Sequence, residues 1–550
     1  LTRYIIFFSQ SHQDHRIAIY KNKTNGYGQK GPGIRVKSTR PGLRNGIKGV
    51  SSLKLGIAPI VILMVMSSTV IMRSLLTLAL ALLLNMALAA QGNKKPRLLV
   101  LTDIGGDPDD QQSLVRLLVY ANAFRIEGII ATSDNIPRKG YNHRIRTDIV
   151  HEVIDAYGKV RNNLLLHDPN YPTAESLKGV VKGGEVDRGA ENLEPGKVTD
   201  GSRHIVQTVD ASNEPLYVAI WGGAHDLAQA LLDVKSTRTR KRTDRFVDKL
   251  RVFAISDQDG LNGIHPKGTG QWIRENFPRI RYVESGPLTS HIMDAGFRGM
   301  YQNDSRGGDR PLPLVRPGIE QLNDEKWIGE NINAWGPLGE LYPSDTHQNP
   351  GSPRNGKGVK EGDTPSWFFV YPNGLNNPER PEWGGWGGRY RKQAQTYYVD
   401  AEDDHWSGTD DTGVRRKWTV ARWREAYQND FAARMQWNLL PYTEANHNPV
   451  AIVENDDGKD MVRLRARPGS TIEIDVGKSY DPDGDELGFY WWQYTEISVS
   501  KVDIEHVDQS STRVKIPPQC PKGDVHLVVE VKDMGSPNLV SYRRVVIQVR

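Results

Sequence analysis

The stretch Thr102–Ser113, TDIGGDPDDQQS, sets four carboxylates, Asp103, Asp107, Asp109 and Asp110, directly behind the apolar run Leu98–Leu101. Like charges this close repel one another, so they persist where water, hydrogen bonds or a cation compensates them. An oxygen-only donor set suits a hard cation, and Ca2+, which tolerates irregular geometry, suits it best. Zinc would call for sulfur or imidazole. Beside a bound cation one carboxylate could take a proton from water while others hold hydroxyl groups. The competing explanation is that Asp109 and Asp110 cap the next helix, whose N-terminus favours acceptors and negative charge. One aspartate would suffice for that.

The elements around the cluster decide where it points. Arg97–Thr102 reads as a strand, Asp109–Ala123 as a helix with Leu114, Leu117, Leu118 and Ala121 on one face, and Ile126–Thr132 as a second strand. A helix over Arg144–Tyr157 follows, then strands at Pro215–Trp221 and Lys249–Ser256, each leading into a helical segment. Repeated βαβ units predict an α/β fold, a Rossmann-like, mainly parallel sheet covered on both faces, with ligands outside the carboxyl ends of the strands. The same ends carry Ser133-Asp134-Asn135, Gly222-Gly223-Ala224-His225 and Ser256-Asp257-Gln258-Asp259. A helical stretch from Thr419 closes at Leu439-Leu440-Pro441. Beyond His447-Asn448-Pro449, alternating runs at Thr471–Val476, Leu487–Gln493, Val525–Val531 and Arg543–Val549 predict a C-terminal all-β sandwich.

Charge separates a leader from the rest. Of 71 basic and 66 acidic residues, eleven Lys/Arg and one acid, Asp14, fall in residues 1–55, and Arg73 is the only further charge before Ala90. From Ala90 onward 59 basic and 65 acidic residues remain, a net of −6, so the basic balance gives no nucleic-acid footprint. Met72–Ala89, MRSLLTLALALLLNMALA, has the charged start, apolar run and Ala-x-Ala ending of a signal peptide. The alternative is a membrane anchor over Leu55–Ala90. Residues 1–71 are then expected to be an upstream extension or basic leader, 72–89 the signal peptide, 95–440 the α/β domain and 446–550 the β domain. Secretion, into the periplasm or to the cell surface, and no stable membrane insertion after cleavage are expected. The only cysteine, Cys520, excludes an intrachain disulfide.

Asp103-Ile104-Gly105 followed by Asp109-Asp110 resembles the N-terminal aspartate cluster of the nucleoside hydrolases. Ala131–Asn135 resembles their Thr-rich strand ending in a sugar-binding Asn, Gly222–Ala228 their Gly-Pro-Leu-Thr-Asn-Leu-Ala turn, and Gly362-Asp363-Thr364-Pro365 their late His-Asp before a buried helix. The resemblance implies Asp103 as metal ligand and base for water, Asp110 and Asp363 as further carboxylate ligands, and the carbonyl of His225 as another. It implies Asp109 and Asn135 as holders of sugar hydroxyls. The spacing between Asp103 and Asp109 is two residues longer than in that family, and Asp107-Pro108 occupies the insertion, so Asp107 is an alternative ligand. Gly362 stands where many nucleoside hydrolases have a histidine that helps protonate the leaving base. As a side chain, His225 is either an acid or, more commonly in such a turn, a structural hydrogen-bonding residue.

From about Lys95 to Arg550 the chain is similar to secreted bacterial proteins described as cellulose-binding, with a nucleoside hydrolase-like domain and a small β domain of Ig, PKD or cadherin type. Leu101–Ser113, Trp221-Gly222-Gly223, Gly362–Leu375 and Pro381–Gly388 carry that likeness. Nine of thirteen tryptophans lie between Trp327 and Trp437, and PEWGGWGGRY, Pro381–Tyr390, sets Trp383 and Trp386 among four glycines. These two rings are expected to bind substrate as a pocket wall stacked on sugars, the alternative being that they fill a core. The loop Asp481-Pro482-Asp483-Gly484-Asp485 is either a second calcium loop or a turn needing no metal. The expected function is a calcium-dependent hydrolase of N-glycosyl or related glycosyl bonds, acting on a carbohydrate, a nucleoside-like small molecule or plant polysaccharide. The rival is a non-catalytic carbohydrate (cellulose)-binding protein on the same scaffold.

Overall fold

The computed structural model describes residues 95–133, 144–263, 265–286, 295–301, 319–344 and 358–550, all within one compact unit, Leu83–Arg550. The expected leader, the signal peptide over 72–89 and Asn135 lie outside the described residues.

Strand β1 (Arg97–Thr102) is buried along its whole length, as a strand flanked on both sides and covered on both faces must be. Its side chains alternate, Leu98 and Val100 entering one apolar core and Leu99 and Leu101 the other. Each fully buried leucine or valine contributes about 1.5–3 kcal/mol. With β2 (Arg125–Ala131), β3 (Val181–Gly183), β4 (Leu216–Ile220), β5 (Leu250–Ile255), β6 (Arg281–Ser285), β7 (Tyr390–Lys392) and β8 (Tyr397–Asp400) it builds one sheet in the order β3-β2-β1-β4-β5-β6-β8-β7. Every pairing is parallel except β7 with β8. The chain moves outward from β1 through β2 and β3, then returns to the other side of β1 with β4. That reversal is the switch point at which sheets of this kind carry a crevice outside the strands' carboxyl ends, here those of β1 and β4.

Helix Pro108–Val119 leaves the β1 end with Pro108 in its first turn, where a missing N–H costs nothing. It is shorter than expected, because Ala121–Ala123 forms a separate 3-10 turn. The helix expected to end at Tyr157 runs over Thr147–His167, since Val160 and Leu164 continue its buried face. The late helical stretch is two helices, Thr412–Ala421 and Arg424–Gln436.

The C-terminal strands β9 (Val462–Ala466), β10 (Thr471–Asp475), β11 (Leu487–Gln493), β12 (Asp503–Glu505), β13 (Ser511–Lys515), β14 (Gly523–Asp533) and β15 (Val540–Val549) form two sheets, β10-β13-β12 and β11-β14-β15-β9. Their inward side chains, Trp491 among them, make a separate core. Trp492 turns the other way, 5.8 Å from Trp423. This outer face docks on the α/β part: Tyr494 Oη donates to Asp403 (2.7 Å), and Arg544 donates to the Gly384 carbonyl (2.8 Å). No helix of the described residues is long and apolar enough to cross a membrane.

Candidate functional site

β1 delivers the aspartates to the crevice, and a tight turn aims them. Gly105 takes φ +93°, a left-handed conformation that glycine adopts without steric cost. The Thr102 hydroxyl at the strand end bonds Asp110 and accepts the Ile104 N–H (3.1 Å). Asp109 and Asp110, in the first turn of Pro108–Val119, are both buried. Their helix carries Gln112, Ser113 and Arg116 on neighbouring positions, all buried, and these hold the segment that brings in Asp363. Gln112 Oε1 accepts the Lys360 N–H (2.7 Å), and Thr364 Oγ1 bonds Ser113 Oγ (3.1 Å). Arg116 Nε lies 2.6 Å from Glu361 Oε2 with both side chains fully buried. Asp363 thereby sits at the start of the short buried helix Thr364–Phe368.

One carboxylate oxygen from each of Asp109, Asp110 and Asp363 lies within 4.8 Å of the others. Asp109 Oδ1 and Asp363 Oδ2 are buried without a hydrogen-bond partner. Burial pushes the Asp109 carboxyl up to about 8, with Asp107 and Asp103 adding to the rise and Lys360 opposing it. Burial, then Asp103 and Asp109, raise Asp110 well above the usual carboxylate range. Burial, then Asp110 and Asp109, do the same to Asp363. Desolvated, mutually repelling carboxylates with orphaned oxygens are the donor set a hard divalent cation compensates. The three carboxylates therefore fit a metal-ion site.

The membership of this group differs from the expected ligand set in two respects. Asp109, expected on sugar hydroxyls, joins Asp110 and Asp363, whereas Asp103 lies beside Arg188, Nη1 to Oδ2 3.6 Å. The same buried guanidinium reaches Asp259, Nε to Oδ1 3.2 Å. Glycines of the β4 end make room: a Cβ on Gly222 would lie 2.5 Å from the Asp103 carboxyl, and one on Gly223 2.2 Å from Asp259. Asp107, the alternative ligand, is paired with Lys360 and stays outside the group. The His225 ring is buried and directed to the Gly189 carbonyl (3.2 Å), a structural bond. Asp257 receives the N–H groups of Gly270 (2.9 Å) and Gln271 (2.6 Å), and burial, with Glu284 and Asp259, pushes it up to about 7.

One expectation fails. Trp383 and Trp386 are 2% and 1% exposed and form no pocket wall. Trp386 packs on Phe368 (5.3 Å) and Tyr542 (6.2 Å), and Trp383 on His526 (4.7 Å). The β domain supplies the apolar and ring surface absent from the local sequence. Gly362 lies against Phe297, where a Cβ would meet the ring at 1.9 Å, so the leaving-group histidine of the nucleoside hydrolases has no space there. Sequence reasoning missed Arg188, Lys360, Glu361 and Arg116. Only Arg116 left a signal: a polar residue seven positions after Asp109 falls on the same helical face.

Residues 97–390, over half of the chain, match the family described as cellulose-binding Sde182, nucleoside hydrolase-like domain. The chain belongs to this family. Residues 471–549 match the description cellulose-binding protein Sde0182, C-terminal domain. Among solved structures the chain is similar to a nucleoside hydrolase-related hypothetical protein from Saccharophagus degradans that is associated with carbohydrate metabolism. The identity is 32% over 83% of this chain and 100% of that one, with a TM-score of 0.66. The PKD domain from KIAA 1837 protein aligns with 16% of this chain and 79% of its own at 22% identity, TM-score 0.14. No curated protein matches. Family membership agrees with the expected α/β plus β architecture and the cellulose-binding resemblance.

Proposed function

We propose that the protein is a secreted, calcium-dependent hydrolase of N-glycosyl or related glycosyl bonds in a carbohydrate or nucleoside-like substrate. The observation that carries the proposal is the buried group Asp109, Asp110 and Asp363, with two orphaned carboxylate oxygens at the strand ends. Bound there, a divalent cation would supply Lewis acidity and hold water and sugar hydroxyls. Asp103, adjoining the group, takes the proton from the attacking water, and Asn135 orients the sugar. The surrounding negative charge favours oxocarbenium character at the anomeric carbon.

A non-catalytic carbohydrate-binding role on the same scaffold is favoured by two observations. Arg188 pairs with the Asp103 carboxylate at 3.6 Å, and Phe297 occupies the space at Gly362. Calorimetric calcium titration of the wild type and Asp110→Asn, followed by assays of sugar release from nucleosides and plant oligosaccharides, separates the two. Calcium affinity lowered more than about tenfold in the variant, with turnover lost alongside it, supports the hydrolase. Calcium and oligosaccharide binding without turnover supports the binding role, and no calcium binding by the wild type overturns both.

A further inference from the structure

The C-terminal sheet presents a surface chemically opposite to the aspartate crevice. β9 is an edge strand, paired only with β15. Val462, Leu464 and Ala466 turn into the sandwich core, so alternation sends Arg463 and Arg465 outward, where both are exposed. The parallel register sets Arg463 opposite Val546 and Arg465 opposite Gln548, and exposed Arg550 follows β15. With Leu464 these residues line a groove of about 530 Å3.

Among the described residues, no carboxylate side chain forms an ion pair with Arg463, Arg465 or Arg550. Arg550 donates to Gln548. On the other sheet of the same domain, Arg513 pairs with Glu473 and Glu505, and Lys515 with Glu505 and Asp503. Acids outnumber bases from Ala90 onward, so an unneutralised basic groove does not follow from composition. Burial, then the charges of Arg544, Arg380 and Arg463, hold the imidazole of buried His526 down at about 3.

We propose that this groove binds an acidic polysaccharide, a polyuronate whose repeating carboxylates pair with Arg463, Arg465 and Arg550. A guanidinium fork matches a carboxylate through two parallel N–H bonds. Positions i and i+2 of a strand stand about 7 Å apart on one face, so the forks form a row that a linear repeating anion fills and a single small anion does not. Gln548, opposite Arg465, adds an amide for sugar hydroxyls. The chain's own residues 1–55 are strongly basic and carry the same sign of charge as the groove. Single-stranded nucleic acid needs open aromatic faces for its bases. The groove lining contains no aromatic residue, and the ring nearest Arg463, Trp383 at 5.8 Å, is buried.

The test is fluorescence anisotropy of a labelled polygalacturonate oligomer, in calcium-free buffer, with the full-length protein and the double variant Arg463→Gln/Arg465→Gln. The expected result is wild-type binding that weakens as sodium chloride rises and a loss of affinity of about tenfold or more in the variant. Melting temperature and calcium binding stay unchanged, and unlabelled cello-oligosaccharide does not compete. Equal binding by wild type and variant, or no uronate binding by either, overturns the proposal. Tighter and equally arginine-dependent binding of a single-stranded oligonucleotide reassigns the groove to nucleic acid. An arginine-dependent rise in mass without ligand reassigns it to a second copy of the chain. The aspartate crevice plays no part in any of these readouts.

Discussion

Replacing His526 should change how the protein's stability depends on pH. The imidazole packs edge-on against Trp383 at 4.7 Å, its Nδ1 has no partner, and burial with Arg544, Arg380 and Arg463 lowers it to about 3. In the unfolded chain a histidine titrates near 6.5. Between these values the unfolded state binds the extra proton, so stability is fully present above about pH 6.5 and falls as pH drops towards 3. For one proton the loss is about 2 kcal/mol at pH 5 and about 3 kcal/mol at pH 4. His526→Phe keeps a ring against Trp383 and cannot be protonated. Denaturant unfolding of both proteins at pH 7 and pH 5 should show the wild type losing about 2 kcal/mol relative to the variant. Parallel losses in the two proteins would refute the reasoning, because the histidine would then carry no pH dependence of its own.

Glu361→Ala leaves the fully buried Arg116 without its carboxylate and should cost about 3–5 kcal/mol in denaturant unfolding; Glu361→Gln, which retains an acceptor, should lose less. Gly222→Ala places a methyl 2.5 Å from the Asp103 carboxyl. It should destabilise by about 1–3 kcal/mol and reduce sugar release or ligand binding, while circular dichroism shows the sheet intact.

The parallel sheet was legible because β1 is a continuous apolar run closed by a polar turn, and β4 and β5 repeat that arrangement with helices between them. Burial on both faces demands that pattern whatever the neighbours are. Local chemistry also marked Asp103, Asp109 and Asp110, since four carboxylates in so short a span require compensation. It could not rank them. Which three carboxylates come together depends on where the Gly222-Gly223 backbone and the Arg188 guanidinium stand, and both arrive from distant segments.

The sequence alone determined the two-part architecture, the end of the sheet that carries the candidate site and its carboxylate character, because strand period and charge crowding are properties of adjacent residues. Tertiary structure alone decided that Asp109 joins Asp110 and Asp363, that Asp103 lies beside Arg188, and that Trp383 and Trp386 are core residues. Burial is a relation between segments: four glycines leave those tryptophans bare locally, and Phe368, Tyr542 and His526, remote in the chain, cover them.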